Sequence, residues 1–134
     1  MTNLNDYLER YGKEDLTNFA KSLGIKKLSK LRKAELTIKI ADYLLNEEIM
    51  KLRLAVLSDA QIHLFEKALQ KSFIPSNDEL DDAYKLNEMD YGVIDFDDML
   101  VIPEDVKRAY NSINTPEFQN FRKRVSWLMN CLEV

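Results

Sequence analysis

Apolar residues recur at helical spacing along most of the chain. Leu4, Tyr7, Leu8 and Tyr11 fall at i, i+3, i+4 and i+7, which predicts a short amphipathic helix with Asn3 as cap and Gly12 as stop. Leu16, Phe19, Ala20 and Leu23 repeat that spacing behind Glu14 and Asp15, and Gly24 ends the second helix. A third helix starts between Lys30 and Lys33 and buries Leu36, Ile40, Tyr43 and Leu44. Asn46 caps a fourth, apolar at Ile49, Leu52, Val56 and Leu57. Ser58-Asp59-Ala60-Gln61 and Ser76-Asn77-Asp78-Glu79 have the form of capping boxes, in which Ser reaches forward and Gln or Glu reaches back, so each opens a helix. Tyr91 to Phe96 and Met99 to Ile102 are rich in β-branched and aromatic residues around Asp97-Asp98, which predicts one hairpin. Past Pro103, Val106, Ala109, Tyr110 and Ile113 mark another helix. Thr115-Pro116 opens the last, whose stripe of Phe118, Phe121, Val125, Leu128 and Leu132 is expected to be the spine of the C-terminal half. That stripe is also heptad-like, a spacing that serves dimerisation as well as a core.

These elements make the chain mainly α. A small N-terminal helical module, helix-extended loop-helix, occupies residues 1–45, a connecting helix 46–57, and an acidic helical domain with one β-hairpin 58–134. Helix, helix, hairpin, helix in the last part is compatible with a winged-helix variant. With only three Gly and three Pro in 134 residues, the loops must be short, which disfavours a sandwich or barrel. Tyr84 and Tyr91 are expected in the core. A single cysteine, Cys131, cannot form an internal disulfide, and the charged N-terminus has no signal-like apolar run, so a cytoplasmic location is expected. No apolar run approaches the roughly 20 residues that span a bilayer, and no membrane partner is expected.

Charge divides the chain more sharply than composition does. Residues 1–57 carry 11 Lys/Arg against 8 Asp/Glu, net +3, whereas residues 58–134 carry 8 against 15, net -7. The positive charge concentrates in the extended loop and helix start, where Lys26, Lys27, Lys30, Arg32 and Lys33 occupy five of eight positions with no acid among them. Ile25, Leu28 and Leu31 interleave with these bases, so the loop can be pinned by its apolar side chains while the bases point outward. Basic residues at a helix N-terminus cost about 0.3 to 1 kcal/mol each when exposed, and a bound phosphate would turn that cost into a use.

The stretch LTNFAKSLGIKKLSKLRKAELTIKIADYLL resembles the helix, extended loop, helix module at the N-terminus of the bacterial transcription terminator Rho, and more distantly SAP domains. Leu23-Gly24-Ile25, Leu28, the Lys30-Leu31-Arg32-Lys33 run and Leu36 carry the likeness, over about 30 of the 134 residues. The resemblance implies nucleic-acid contact through the Lys-rich loop. It does not imply terminator activity, because the chain beyond Leu45 is helical and acidic and not an oligonucleotide-binding barrel.

The acids gather further on. Asp78, Glu79, Asp81, Asp82, Glu88, Asp90, Asp95, Asp97 and Asp98 stand against one base, Lys85, and are expected to be exposed. They would repel phosphate, so this half is expected to meet a protein, a basic one being the complementary choice. Enzyme chemistry finds little support. His63 and Cys131 are the only nucleophile and base pair, two residues cannot make a four-ligand zinc site, and three scattered glycines make no phosphate loop. Asp95-x-Asp97 lacks the remaining calcium-loop positions. No catalytic residue, metal or cofactor is therefore assigned. Two functions stand: a non-catalytic, regulatory or accessory protein that binds DNA or RNA weakly and without sequence preference through its loop while its acidic half holds a protein partner, or a pure protein-interaction or inhibitor protein whose acidic face is active, in the manner of a nucleic-acid mimic.

Overall fold

The computed structural model describes residues 2–132. In order come α1 (Leu4–Leu8), α2 (Lys13–Ser22), α3 (Lys33–Leu45), α4 (Glu47–Ala55), α5 (Asp59–Gln70), a 3-10 turn (Asn77–Glu79) leading into α6 (Leu80–Glu88), β1 (Val93–Ile94), β2 (Leu100–Val101), α7 (Glu104–Ile113) and α8 (Pro116–Leu132). The fold is mainly helical, with one two-stranded antiparallel hairpin among the described residues.

Local chemistry sets most of the boundaries. Ser58 Oγ accepts from the Gln61 amide at 3.1 Å while Gln61 Oε1 accepts from the Ser58 amide at 3.0 Å, so both orphan donors at the start of α5 are satisfied. Asn46 Oδ1 takes the Ile49 amide at 3.1 Å and opens α4. Before α6, Glu79 Oε1 accepts from the Ser76 amide at 2.9 Å. Gly24 ends α2 at φ +81°, a left-handed position that costs glycine little, and lets the Ile25 amide reach back to the Ala20 carbonyl at 3.0 Å. One boundary differs from the sequence pattern. α1 stops at Leu8, leaving Tyr11 outside it and exposed, and Gly12 caps α2 instead of closing α1. Five residues make barely more than a turn, and tertiary contacts hold it: the Leu4 amide donates to Asp105 Oδ1 at 2.8 Å and the Glu104 amide to the Thr2 carbonyl at 3.0 Å.

The hairpin pairs Val93 with Val101 and Ile94 with Leu100. Asp95 Oδ1 closes its turn by accepting from the Asp97 and Met99 amides at 2.9 and 3.0 Å, and Asp98 adopts φ +62°. The Leu100 amide is bonded to the Phe73 carbonyl at 2.7 Å, so the segment between α5 and α6 lies beside β2.

One apolar cluster runs through both charge halves. Leu4, Leu8, Leu16, Leu36, Ile40 and Leu44 meet Ile62, Phe65, Leu86, Tyr91, Val106 and Ile113 within it. α1 packs on α3 and α7, and α4 on α7 and α8. Tyr91 ties the halves by a specific bond: its buried hydroxyl donates to the Leu44 carbonyl at 2.7 Å, and the Arg53 guanidinium stacks on its ring at 4.8 Å. Phe65 and Tyr110 meet edge to face at 5.2 Å. Tyr84 faces solvent, contrary to its expected place in the core, because on α6 the buried face belongs to Ala83 and Leu86.

The terminal helix is not a spine. Only Phe118 and Arg122 of α8 are buried, the latter with its guanidinium 3.6 Å from Asp59. Beyond them Trp127, Leu128 and Leu132 are 66%, 54% and 85% exposed. Contacts explain the difference. Glu48, Lys51 and Leu52 of α4 flank Thr115 to Phe121, α4 ends at Ala55, and the rest of α8 runs on past it.

Candidate nucleic-acid interface

The loop between α2 and α3 is anchored as the alternation of residues requires. Ile25, Leu28 and Leu31 pack against the core, while Lys26, Lys27, Lys30, Arg32 and Lys33 are turned away from it and exposed. Two hydrogen bonds and one left-handed residue fix the path. The Leu31 amide bonds the Leu28 carbonyl at 3.1 Å, Lys39 Nζ reaches the Lys26 carbonyl at 3.3 Å, and Lys27 takes a left-handed φ of +65°, which costs a non-glycine residue roughly 1 kcal/mol. Among the described residues none of the five bases makes a salt bridge.

Arg32 stands at the cap of α3, where its side chain offers no acceptor. The first-turn amides of Lys33, Ala34 and Glu35 therefore have no side-chain cap, although Glu35 Oε1 reaches back to the Arg32 amide at 3.1 Å and places an acid in the same turn. Beside the loop opens a cleft of about 430 Å³ whose lining includes Thr17, Lys21, Lys26, Lys27 and Ser29. Lys21 is a sixth base at this surface. It lies outside the basic run in sequence and reaches it because the Gly24 turn folds the loop back along α2.

The nine acids divide by what they touch. Asp78, Asp81, Glu88, Asp97 and Asp98 are exposed, and Asp82 is partly buried. Glu79 caps Ser76 and pairs with Lys67 at 3.4 Å, contacts that hold its carboxyl below the usual range, the bond from the Ser76 amide most of all. Asp95 closes the hairpin turn. Asp90 departs from the expected exposure altogether. It is 7% exposed, at the end of α6 in the lining of a cleft that Tyr11 and Asp15 also line, and burial pushes its carboxyl up to about 7 against an opposing pull from Arg53. His63 and Cys131 are both exposed, on α5 and near the end of α8.

Among the described residues no helix is long and apolar enough to cross a membrane, and no three His, Cys, Asp or Glu side chains are grouped to hold a metal ion. Comparison with protein-family models, with curated proteins and with solved structures gives no match to this chain.

Proposed function

We propose that this protein is a non-catalytic nucleic-acid-binding accessory protein, in which Lys26, Lys27, Lys30, Arg32 and Lys33, joined by Lys21, contact phosphates. The observation that carries the reading is a loop held by three inward apolar residues with every base turned outward and unpaired among the described residues. Internal ion pairing would have spent that charge, and here it is left for a polyanion. The resemblance of residues 15–45 to the Rho N-terminal and SAP modules points the same way. Phosphate contacts of this kind fix position without reading bases, so binding is weak and independent of sequence. The hairpin would be the wing of a winged-helix reading. Asp95, Asp97 and Asp98 at its turn would repel phosphate, so the nucleic acid stays on the loop and the acids face a basic protein. The exposed, unpaired Cys131 suits a reducing cytoplasm.

Retention on DNA and RNA over a salt series tests this, with Lys27→Glu, Lys30→Glu and Lys33→Glu combined as the variant. About three to five phosphates neutralised on DNA give a slope of log affinity against log salt of roughly -3 to -4.5, and the triple reversal abolishes binding while the circular dichroism stays helical. Equal retention of both proteins at low salt refutes the assignment.

A protein-interaction reading has its own observation, the uncovered far end of α8. We take its occupant to be a second copy of the chain. Antiparallel pairing of two such helices about Ser126 and Trp127 sets Phe121 opposite Leu132 and Val125 opposite Leu128. It also sends the two basic clusters, Arg122 to Arg124, to opposite ends of the pair.

A further inference from the structure

A cleft of about 330 Å³ opens between α2 and the end of α6, with Asp90 in its lining, Asp15 and Glu88 about it, and the apolar side chains of Leu16 and Phe19 along it. Asp90 is the anomaly. Among the described residues its carboxylate accepts no hydrogen bond and makes no salt bridge; the residue is 7% exposed, and its oxygens are not among the side-chain atoms fully closed off from solvent, so they stay open to the cleft. Buried anions are ordinarily paired. Its position compounds the cost. Asp90 lies just past the C-terminal end of α6, the negative end of the helix dipole, and adopts a left-handed φ of +61°.

Arg53, the cation whose charge acts on Asp90, makes its hydrogen bond elsewhere. Arg53 donates from Nη1 to the Met89 carbonyl at 2.9 Å and lies over the Tyr91 ring. Asp90 and Asp15 are both close enough to the Tyr11 hydroxyl to raise its pKa, after burial, so these groups share one field inside the cleft. A metal ion does not suit them, since among the described residues no three carboxylates are grouped for one. The space between the acids and the apolar wall suits a larger cation with a hydrocarbon stem.

We propose that this cleft binds an organic cation, an alkylammonium or guanidinium whose head pairs with Asp90 and whose stem lies on Leu16 and Phe19. The head supplies the missing counter-charge, with Asp15 and Glu88 adding attraction at the mouth and Tyr11 Oη an acceptor. The chemistry can arrive as a free amine or as a Lys or Arg side chain of a protein segment. It is separate from phosphate binding at the loop, and neither reading depends on the other. Binding requires the Asp90 carboxylate, so affinity rises as pH is raised from 6 to 8. The charged and titratable groups about Asp90 are Asp15, Glu88, Arg53 and Tyr11, and burial, with Asp90 and Asp15 beside it, raises the pKa of the Tyr11 hydroxyl and keeps it neutral.

The test is amide chemical-shift titration of the full chain with three probes: 1,4-diaminobutane, a blocked Gly-Lys-Gly peptide and its Gly-Gln-Gly counterpart. The expected result is saturable shifts at Tyr11, Asp15, Glu88 and Asp90 with a charged probe and none with the Gln peptide. Affinity should be lost by about ten-fold or more in Asp90→Asn, whose Asn accepts a left-handed backbone and whose folding is checked by its own spectrum. The diamine binding alone assigns a small molecule, and the Lys peptide binding better assigns a partner's side chain. Shifts that spread evenly over Asp78, Asp97 and Asp98, equal affinity of wild type and Asp90→Asn, or no saturable binding by either cation would overturn the proposal.

Discussion

Replacing Asp90 by Asn should favour the variant over the wild type more at pH 8 than at pH 4. The carboxyl ordinarily ionises at 3.8 and in the fold at about 7, because its burial disfavours the charged form more than Arg53 restores it. Between those values the folded state holds a proton that the unfolded chain has released. Stability therefore falls as pH rises from about 4 to about 7, by up to 1.36 kcal/mol per unit, and is level above that. Three units give a total on the order of 4 kcal/mol, an upper figure because the surroundings of Asp90 can relax. Asn has nearly the same shape, suits φ +61°, and carries no charge to desolvate. Its own burial shifts the variant by a constant amount at every pH, so the informative quantity is the change with pH in the difference between the two proteins. Urea unfolding of both at half-unit steps from pH 4.5 to 8, in buffers free of amines, reads that difference directly, and the titrations common to both proteins cancel. A difference that stays within about 0.5 kcal/mol across the range, or one that moves against Asn as pH rises, would mean Asp90 is ionised and satisfied in the fold.

Tyr91→Phe should cost about 1 to 3 kcal/mol, because it leaves the Leu44 carbonyl without its 2.7 Å donor in a buried place, and thermal or urea unfolding measures it; a loss under about 0.5 kcal/mol would show the bond to be dispensable. Leu128→Lys combined with Leu132→Lys should leave stability within about 0.5 kcal/mol, since both side chains are exposed, while turning a concentration-dependent dimer into a monomer in sedimentation equilibrium. A wild type that is monomeric at every concentration would remove the second copy from α8.

Legibility in the sequence tracks the range of the interaction concerned. The caps at Asn46 and Ser58 and the Gly24 stop involve residues three to five apart, so composition at those spacings is enough to place them. The loop is legible for a similar reason, since alternation of Ile25, Leu28 and Leu31 with the bases decides which side faces the core before the rest of the fold is known. Asp90 is not. It sits in a run of acids indistinguishable from its exposed neighbours, and the cleft it lines is shared with Tyr11 and Asp15, some eighty residues earlier. Tyr84 and Tyr91 carry equal hydrophobic weight, and only the turn after α6 sends one inward. The stripe on α8 has the same period whether it is covered or bare. Its exposure depends on where α4 stops, which no local pattern in α8 records.

α2 is the element on which the two charged surfaces meet. Asp15 and Phe19 line the acidic cleft, Thr17 and Lys21 the basic one, and the two pairs stand two residues apart in register. Two residues on an α-helix turn through about 200°, so the rows face opposite ways, with buried Ala20 between them on the core side. A ten-residue helix thus acts as a partition roughly 10 to 12 Å thick. Across it, a bound cation and a bound phosphate would attract each other by about 0.4 kcal/mol at the dielectric of water and by about 1.5 kcal/mol at an effective value of 20. Physiological salt, with a screening length of about 8 Å, pushes toward the smaller figure. Direct electrostatics therefore makes the two surfaces nearly independent. Were strong coupling found between them, it would have to travel through movement of α2 itself, whose C-terminal turn anchors the basic loop at Gly24 and whose face at Asp15 and Phe19 borders the cleft over Asp90.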